Sequence, residues 1–283
     1  MKAIILNLSA WIILPFMDAI AKYLSSDLSF FQITWARYFF TVFFTLPLMF
    51  LFFKHQLKWT ENPKLQFYRG LTLFLANICF FYSISIISMA KALTLAFVAP
   101  LITTSLSPLF LGEKVGLKRW SAVIIGFLGI LIVIRPGFIE FNLSSIAAIG
   151  TGCFYGIYLI ITRRLHTMDS PLLTLLLTGA VGAVIASFVV PVVWVNPTII
   201  QWSWLSLMGI FACLGHILLI YSLRYADASK LAPFGYFEII PNIILGYYLF
   251  NDFLDFWSFI GLLVIISSGL FVIKREHLLT KSK

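Results

Sequence analysis

Long apolar segments separated by short polar connections fill almost the whole sequence, and they decide what the chain can fold into. A transmembrane helix needs about 20 mostly apolar residues to cross the hydrocarbon core of a bilayer. Ten segments have this length, at roughly 3–23, 30–53, 67–88, 91–111, 118–135, 143–162, 171–194, 203–223, 229–250 and 256–274. Hydrophobic residues make up 61% of the 283 residues and charged residues only 11%, too few to cover a soluble domain. We therefore predict an all-α membrane protein with ten transmembrane helices.

The short connections leave no room for a nucleotide-binding or soluble catalytic domain, and the phosphate-binding pattern GxxxxGK[ST] does not occur. An ATP-driven pump within this chain is therefore not expected. Cys79, Cys153 and Cys213 all lie inside apolar segments, where cysteine usually behaves as a small hydrophobic residue. We predict no metal site and no cofactor.

The distribution of positive charge predicts the orientation of the chain. In a membrane protein, a net charge of +9 reflects topology rather than nucleic-acid binding. If the N-terminus lies inside, sixteen of the 20 Lys and Arg residues fall on the cytoplasmic side. Lys22, Lys91 and Arg135 fall on the outer side, and Arg37 lies within the second segment. This bias predicts cytoplasmic N- and C-termini in a multi-pass protein, in a bacterium one of the inner membrane.

The sequence also repeats itself at a separation of 139 residues. "YSISIISMAKALTLAF" from Tyr82 aligns with "YSLRYADASKLAPFGY" from Tyr221, which pairs Lys91 with Lys230. At the same separation Glu113 aligns with Asp252. Each half contains five segments, and an odd number makes the second copy enter the membrane from the opposite side. We predict two inverted repeats, 1–137 and 143–275, followed by a cytoplasmic tail at 276–283.

Inverted repeats are typical of secondary transporters, in which two halves alternate between inward-open and outward-open shapes around a central site. A membrane scaffold or receptor with a duplicated fold is the alternative. The segments "FVAPLITTSLSPLFLGEKVGLKRWSAVIIGFLGILIVIRPG" (97–137) and "GLLVIISSGLFVIKR" (261–275) resemble the EamA-type repeats of the drug/metabolite transporter superfamily. The similarity covers almost the full chain, although Asp252 replaces the glutamate of the first repeat. It implies a secondary carrier with a cavity between the halves, close to the S-adenosylmethionine and organic-anion carriers.

Ionisable residues inside apolar segments are the candidate site residues, because such groups are costly in hydrocarbon and face the protein interior. Asp18, Arg37, His216 and Glu238 qualify. Polar and aromatic residues spaced three or four apart indicate helix faces directed at one cavity. The predicted substrate-binding residues are Trp11, Asp18, Arg37, Asn77, Tyr155, Tyr158, Phe234, Glu238 and Asn242.

Arg37 has two alternative roles. It lies at a depth similar to that of Asp18 in the neighbouring helix, so the two could form a structural ion pair. Alternatively, its planar guanidinium binds a carboxylate or other anion of the substrate, with Asp18 orienting it.

Four further residues have predicted roles in coupling or gating. Glu238 lies near the middle of its segment, which favours uptake of a proton, and His216 could relay one. A plain structural hydrogen bond is the alternative for each. Lys91 and Lys230 occupy matching helix starts and are gate or interface candidates, unless they merely extend to the lipid headgroups.

Arg37 favours a substrate with a carboxylate, whereas Asp18, Glu238 and the aromatic residues favour a cation. A zwitterion resembling an amino acid or S-adenosylmethionine satisfies both, and a proton-coupled organic anion is the alternative. Coupling to a counter-substrate is a further possibility. A prenyltransferase-type enzyme is a remote alternative, because "NDFLD" at 251–255 has DxxD spacing but lacks a second acidic cluster. Gly126, Gly129, Gly179 and Gly182 allow close helix packing and a homodimer interface.

Overall fold

The computed structural model describes residues 1–56, 58–113, 115–134 and 142–281, and these contain helices and connections but no β-strand. The α-helices are α1 (Lys2–Leu24), α2 (Phe30–Phe52), α3 (Pro63–Ile84), α4 (Met89–Ala96), α5 (Val98–Leu111), α6 (Leu117–Ile134), α7 (Leu143–Arg164), α8 (Pro171–Val189), α9 (Ile199–Tyr225), α10 (Ala228–Leu231), α11 (Ile239–Phe250) and α12 (Phe256–Lys281). Short 3₁₀ segments cover Lys54–Gln56, Val190–Val193 and Ala232–Glu238.

Seven helical segments are long and apolar enough to cross a membrane, when α4 and α5 are counted together as Met89–Leu111. Shorter apolar helical stretches at Ile124–Val133, Phe234–Phe250 and Phe256–Ser268 fall where the fifth, ninth and tenth spans were predicted. The prediction of an all-helical membrane protein is confirmed. The count of ten spans and the orientation of the termini stay predictions.

Side-chain caps fix where several helices begin. Ser29, Asn62, Ser88, Asn142 and Ser170 each accept a hydrogen bond from a backbone N–H in the first turn of the helix that follows. Such caps satisfy N–H groups that have no partner within the helix. The sequence therefore specifies these boundaries locally.

The fourth and ninth predicted spans are not continuous helices. In the fourth, α4 ends and α5 begins at Phe97, because Pro100 has no N–H to donate to the carbonyl of Ala96. In the ninth, the 3₁₀ segment Ala232–Glu238 separates α10 from α11. The expected stripe of Phe234, Glu238 and Asn242 at four-residue spacing is therefore wrong, since 3₁₀ geometry aligns residues three apart.

The helices pack mainly across the two halves of the chain. The main partners are α1 with α9, α3 with α7, α2 with α8, and α6 with α12. In addition, α5 packs on α7, and α1 packs on the 3₁₀ segment and α11. Each contact joins a helix from the first five predicted spans to one from the second five, so the space between the halves lies at the centre of the helical packing.

The glycines assigned to a dimer face pack inside the chain instead. Gly126 faces Leu101 and Ser268, and Gly129 faces α12. Gly179 and Gly182 both face α2. Close approach of helices explains these residues within one chain, and they give no support to a homodimer.

Candidate functional site

A cavity of about 880 Å³, its open side included, lies between the two halves. Its lining comes from α1, α3, α4 and α5 on one side and from α7, α9, α10 and the 3₁₀ segment on the other. The polar and aromatic lining residues include Asn7, Trp11, Asp18, Asn77, Thr151, Tyr155, His216 and Glu238. Ligand sites commonly have a volume of about 300–1,000 Å³ and combine an apolar wall with a few polar groups.

Two carboxyl groups, one from each half, line this cavity. Asp18 lies on α1 and is 3% exposed, and Glu238 is the last residue of the 3₁₀ segment. Gly235 and Glu238 both line the cavity, as three-residue 3₁₀ spacing requires. The side-chain amide of Asn242 lies behind and donates to the backbone carbonyl of Glu238 at 3.1 Å.

Aromatic rings form a wall beside the carboxyl groups. The rings of Trp11 and Tyr155 lie 6.1 Å apart. Trp11 Nε1 donates to Asn7 Oδ1 at 2.7 Å, and Asn7 Nδ2 donates to Ser222 Oγ at 3.1 Å, so the indole is fixed in place. The hydroxyl of Tyr155 is buried and has no hydrogen-bond partner among the residues that the structure describes. Because buried polar groups normally have partners, this hydroxyl is available to a ligand.

Arg37 lies one side chain behind the cavity wall. Its Nη2 is 2.6 Å from His216 Nε2, and its Nε donates to the sulfur of Met17 at 3.1 Å. The guanidinium also packs over the ring of Tyr38. Met17 and His216 both line the cavity, whereas the side chain of Arg37 is 1% exposed. Among the ion pairs of the described residues, none joins Arg37 to Asp18.

A second buried arginine, Arg69 on α3, was missed by the sequence analysis. It was counted as a cytoplasmic charge because it lies near the end of its span, but it is 0% exposed. Its guanidinium donates to Thr162 Oγ1 at 2.8 Å, to the carbonyl of Thr174 at 3.0 Å, and to the hydroxyl of Thr178. The threonines four residues apart on α8 were the available signal for a polar helix face.

One hydrogen-bonded chain connects the two arginines. Arg69 Nη2 donates to Tyr158 Oη at 2.8 Å, and Tyr158 Oη lies 3.2 Å from His216 Nδ1. Guanidinium nitrogens only donate, so His216 Nε2 must accept from Arg37. His216 is therefore neutral here, with its proton on Nδ1 facing Tyr158.

The structure thus brings together six of the predicted site residues on the cavity surface: Trp11, Asp18, Asn77, Tyr155, His216 and Glu238. Of the remaining described candidates, Arg37, Tyr158, Phe234 and Asn242 lie outside its lining. Asn77 Nδ2 donates to Tyr38 Oη at 3.0 Å, which connects the cavity surface to the residue that packs on Arg37.

The two predicted gate lysines differ in their surroundings. Lys230 Nζ is 2.7 Å from Asp227 Oδ2, and its side chain is 55% exposed. This hydrogen bond, followed by the charges of Lys230 and Arg163, lowers the pKa of Asp227. Lys91 is half-buried in the first turn of α4, where its backbone N–H donates to Ser88 Oγ.

Comparison with known proteins agrees with this architecture. Residues 1–135 and 142–274 match the EamA-like transporter family. A protein named S-adenosylmethionine uptake transporter from Rickettsia bellii (strain RML369-C) is 30% identical over 259 residues, 92% of this chain and 89% of the relative. A riboflavin transporter from Vibrio cholerae serotype O1 is 30% identical over 192 residues, 66% of this chain and 63% of the relative.

A solved crystal structure shares the fold, with a TM-score of 0.73, 16% identity and coverage of 98% of both chains. The relatives are bacterial, which with seven candidate spans indicates a multi-pass inner-membrane protein. The chain belongs to the EamA-like transporter family, and it is a transporter rather than an enzyme.

Proposed function

We propose that this protein is a secondary transporter of a small zwitterionic metabolite similar to S-adenosylmethionine, and that it works by alternating access. The observation that carries the proposal is the composition of the cavity. It combines two carboxyl groups and two aromatic rings on its surface with a buried guanidinium one side chain behind. Opposite charges in one site fit a ligand that itself carries both signs.

The carboxyl groups provide the cation subsite. Asp18 and Glu238 belong to different halves, and the rings of Trp11 and Tyr155 lie on the same wall. A sulfonium or ammonium group is stabilised by carboxylates and by the faces of aromatic rings. The same rings offer a stacking surface to a heterocycle such as adenine, and the Tyr155 hydroxyl offers a hydrogen bond.

Arg37 provides the anion subsite through a rearrangement of His216. In the empty cavity, its Nη2 is occupied by His216 Nε2. A carboxylate is a stronger acceptor for a guanidinium than a neutral imidazole, because charge-assisted hydrogen bonds are about twice as strong as neutral ones. Displacement of the imidazole therefore gives the substrate access to Arg37.

Proton coupling, if present, uses Glu238 rather than His216. A protonated His216 would present an N–H from both ring nitrogens, and Nε2–H would then oppose the Nη2–H group of Arg37 at 2.6 Å. Glu238 has no such conflict and lines the cavity directly. Two carboxyl groups in one cavity also allow one to hold a proton while the other stays charged.

The alternation itself is supported by the cross-half packing and by the discontinuous α4–α5 and α10–α11 segments. Discontinuous helices at the centre of inverted repeats are typical sites of substrate binding in secondary transporters. Family matches to both halves, at 1–135 and 142–274, also support a duplicated unit.

A proton-coupled carrier of an organic anion is the second candidate. The observation in its favour is the pair of guanidinium groups, Arg37 and Arg69, that are fully buried and linked through His216 and Tyr158. In this case, Asp18 and Glu238 would bind protons rather than a cationic substrate.

Thermal unfolding of the purified protein with matched ligands distinguishes these candidates. S-adenosylhomocysteine keeps the amino acid and adenosine of S-adenosylmethionine but has no sulfonium charge, and methylthioadenosine also lacks the amino acid. A ligand at 100 times its Kd adds about 2.7 kcal/mol to stability. We expect the largest shift with S-adenosylmethionine and a smaller shift with S-adenosylhomocysteine. Succinate should give none.

Variants assign the subsites. Glu238→Gln should reduce the advantage of S-adenosylmethionine over S-adenosylhomocysteine, whereas Arg37→Gln should weaken both but leave methylthioadenosine unchanged. Glu61→Gln, at an exposed position, is the control. Succinate as the best ligand would favour the anion carrier, and equal shifts for all three adenosyl compounds would refute the zwitterion proposal. Uptake of the best ligand into proteoliposomes then tests transport.

A further inference from the structure

Two acidic residues outside the cavity make equivalent contacts at two separate places in the chain. Asp252, just after α11, accepts a hydrogen bond through Oδ2 from the backbone N–H of Met89 at 3.0 Å, where α4 begins. Glu113, just after α5, accepts one through Oε1 from the backbone N–H of Ala228 at 3.2 Å, where α10 begins. Glu113 and Asp252 are 139 residues apart, and so are Met89 and Ala228.

A basic residue from the end of a cavity-lining helix completes each contact. Lys22, in the last turn of α1, lies 2.6 Å from Asp252 and also donates to the carbonyl of Ile87 at 3.3 Å. We call Lys22, Met89 and Asp252 the Asp252 cluster. Its side chains are only 15–16% exposed.

The second cluster is built in the same way. Arg163, in the last turn of α7, lies 3.9 Å from Glu113 and donates to the carbonyl of Leu223 at 2.8 Å. Its Nη2 also donates to Asp227 Oδ1 at 2.8 Å. We call Arg163, Ala228 and Glu113 the Glu113 cluster, and the side chains of its ion pair are 17% and 11% exposed.

The backbone that presents each carboxylate is also equivalent. Gly112 (φ 67°) and Asn251 (φ 53°) are the described residues with a left-handed backbone, and each directly precedes its carboxylate. Only glycine and, less often, asparagine adopt this conformation without strain. Because these residues are also 139 apart, the same turn positions an acidic side chain toward the opposite half in both cases.

We propose that the two clusters are a pair of gates, and that they open in turn. Each joins the two halves at the end of helices that line the cavity: α1 and α4 for the Asp252 cluster, and α7 and α10 for the Glu113 cluster. In an inverted repeat, equivalent positions lie on opposite faces of the membrane. Breaking one cluster therefore opens the cavity to one face while the other cluster holds the second face closed. This inference rests on the alternating access proposed above, but not on the identity of the substrate.

Accessibility labelling tests the gates without any substrate. Cys79, Cys153 and Cys213 are replaced by alanine, and Thr151→Cys places a single thiol on the cavity wall. A membrane-impermeant maleimide is then applied to one face of vesicles of known orientation. Asp252→Asn should raise the labelling rate from the Asp252 face and lower it from the other face. Glu113→Gln should do the reverse. We expect each ratio of rates to change by about fivefold or more, the lower end of typical coupling between sites.

Matched variants separate gating from general loosening. Lys22→Gln and Arg163→Gln should reproduce the direction of their acidic partners, whereas Asp252→Glu and Glu113→Asp should keep the ratio of the parent. Asp255→Asn is the control, because Asp255 caps its own helix α12 through Trp257 and Ser258. Higher labelling from both faces, or no change in the ratio, would overturn the proposal. Reciprocal labelling without binding of any adenosyl ligand would leave the gates in place and refute only the proposed substrate.

Discussion

Gly152 is the point at which the second half packs most tightly on the discontinuous helix of the first. It lies on α7 and lines the cavity. A Cβ atom added there would be 2.3 Å from both the carbonyl oxygen of Ala96 and Cγ1 of Val98, and 3.0 Å from the carbonyl carbon of Ala96. Ala96 and Val98 flank the junction of α4 and α5, so the obstacle is largely backbone and cannot move aside as a side-chain end could.

We therefore expect Gly152→Ala to destabilise the protein. Overpacking of an interior typically costs about 1–3 kcal/mol, and the better helix propensity of alanine offsets up to about 1 kcal/mol. The backbone contact places the cost toward the upper end, which leaves a net loss of about 1–2 kcal/mol. At roughly 2–4 °C per kcal/mol for chains of comparable length, Tm should fall by about 2–8 °C.

Gly150 provides a control two residues away on the same helix. Its added Cβ would meet only the sulfur of Cys79, at an ordinary contact distance of 3.5 Å. Gly150→Ala should therefore keep or raise Tm, because helix propensity favours alanine. Both variants are heated in detergent, and the remaining folded fraction is measured by fluorescence-detected size-exclusion chromatography. If Gly152→Ala proves as stable as Gly150→Ala, the close approach of α7 to the helix junction is not what the structure indicates.

Three further predictions address the polar groups. Tyr155→Phe should leave Tm unchanged but weaken ligand binding, because its hydroxyl has no partner among the described residues, whereas Tyr158→Phe should cost about 1–3 kcal/mol of stability by leaving the donors of Arg69 and His216 without their acceptor; thermal unfolding with and without ligand compares the two, and the reverse order of Tm values would contradict the assignment. Arg69→Lys should likewise lower Tm, since lysine cannot reproduce the forked hydrogen bonds of a guanidinium, while the exposed Lys64→Gln should not; equal Tm values would show that Arg69 is not held as described. The hydrogen bond from Lys230 lowers the pKa of Asp227 below its ordinary 3.8, so its stabilising effect is present above that pH and is lost only as pH falls through the lower value of the folded state; the Tm difference between the parent and Asp227→Asn should thus stay constant from pH 5 to 8, and a decline within that range would contradict the sign.

Helical periodicity identified much of the cavity surface because it shows which residues share a face. On α1, Trp11 and Asp18 were correctly placed together on one face, and both line the cavity. Periodicity fails where the helix is not α-helical: Pro233 at the start of the 3₁₀ segment changes the spacing, and Phe234 leaves the lining while Gly235 enters it.

The partners of buried charges were beyond sequence analysis for a different reason. Asp18 was the obvious partner for Arg37 because the two helices are consecutive, yet the contact is made by His216, which lies 179 residues away in sequence. Periodicity gives the direction of a side chain but not the helix that it meets. Arg69 was misjudged because a charge near the end of a span was assumed to reach water, and four acceptors from α7 and α8 surround it instead.

The repeated and the unrepeated residues of this chain separate into two classes, and the division follows from what each class must do. The gate carboxylates, the left-handed residues before them and the helix starts that they contact all recur at 139 residues. The charged cavity residues do not: at this separation Glu238 aligns with Ala99, and Arg37 aligns with Leu176. If the halves exchange shapes as proposed, contacts at the two ends must be interchangeable, because each must close one face in turn. A central site, in contrast, serves both shapes with a single set of groups and binds one asymmetric ligand. Its charges therefore need to occur only once, and a second copy at Ala99 or Leu176 would place an additional unpaired charge in a low-dielectric interior at considerable cost.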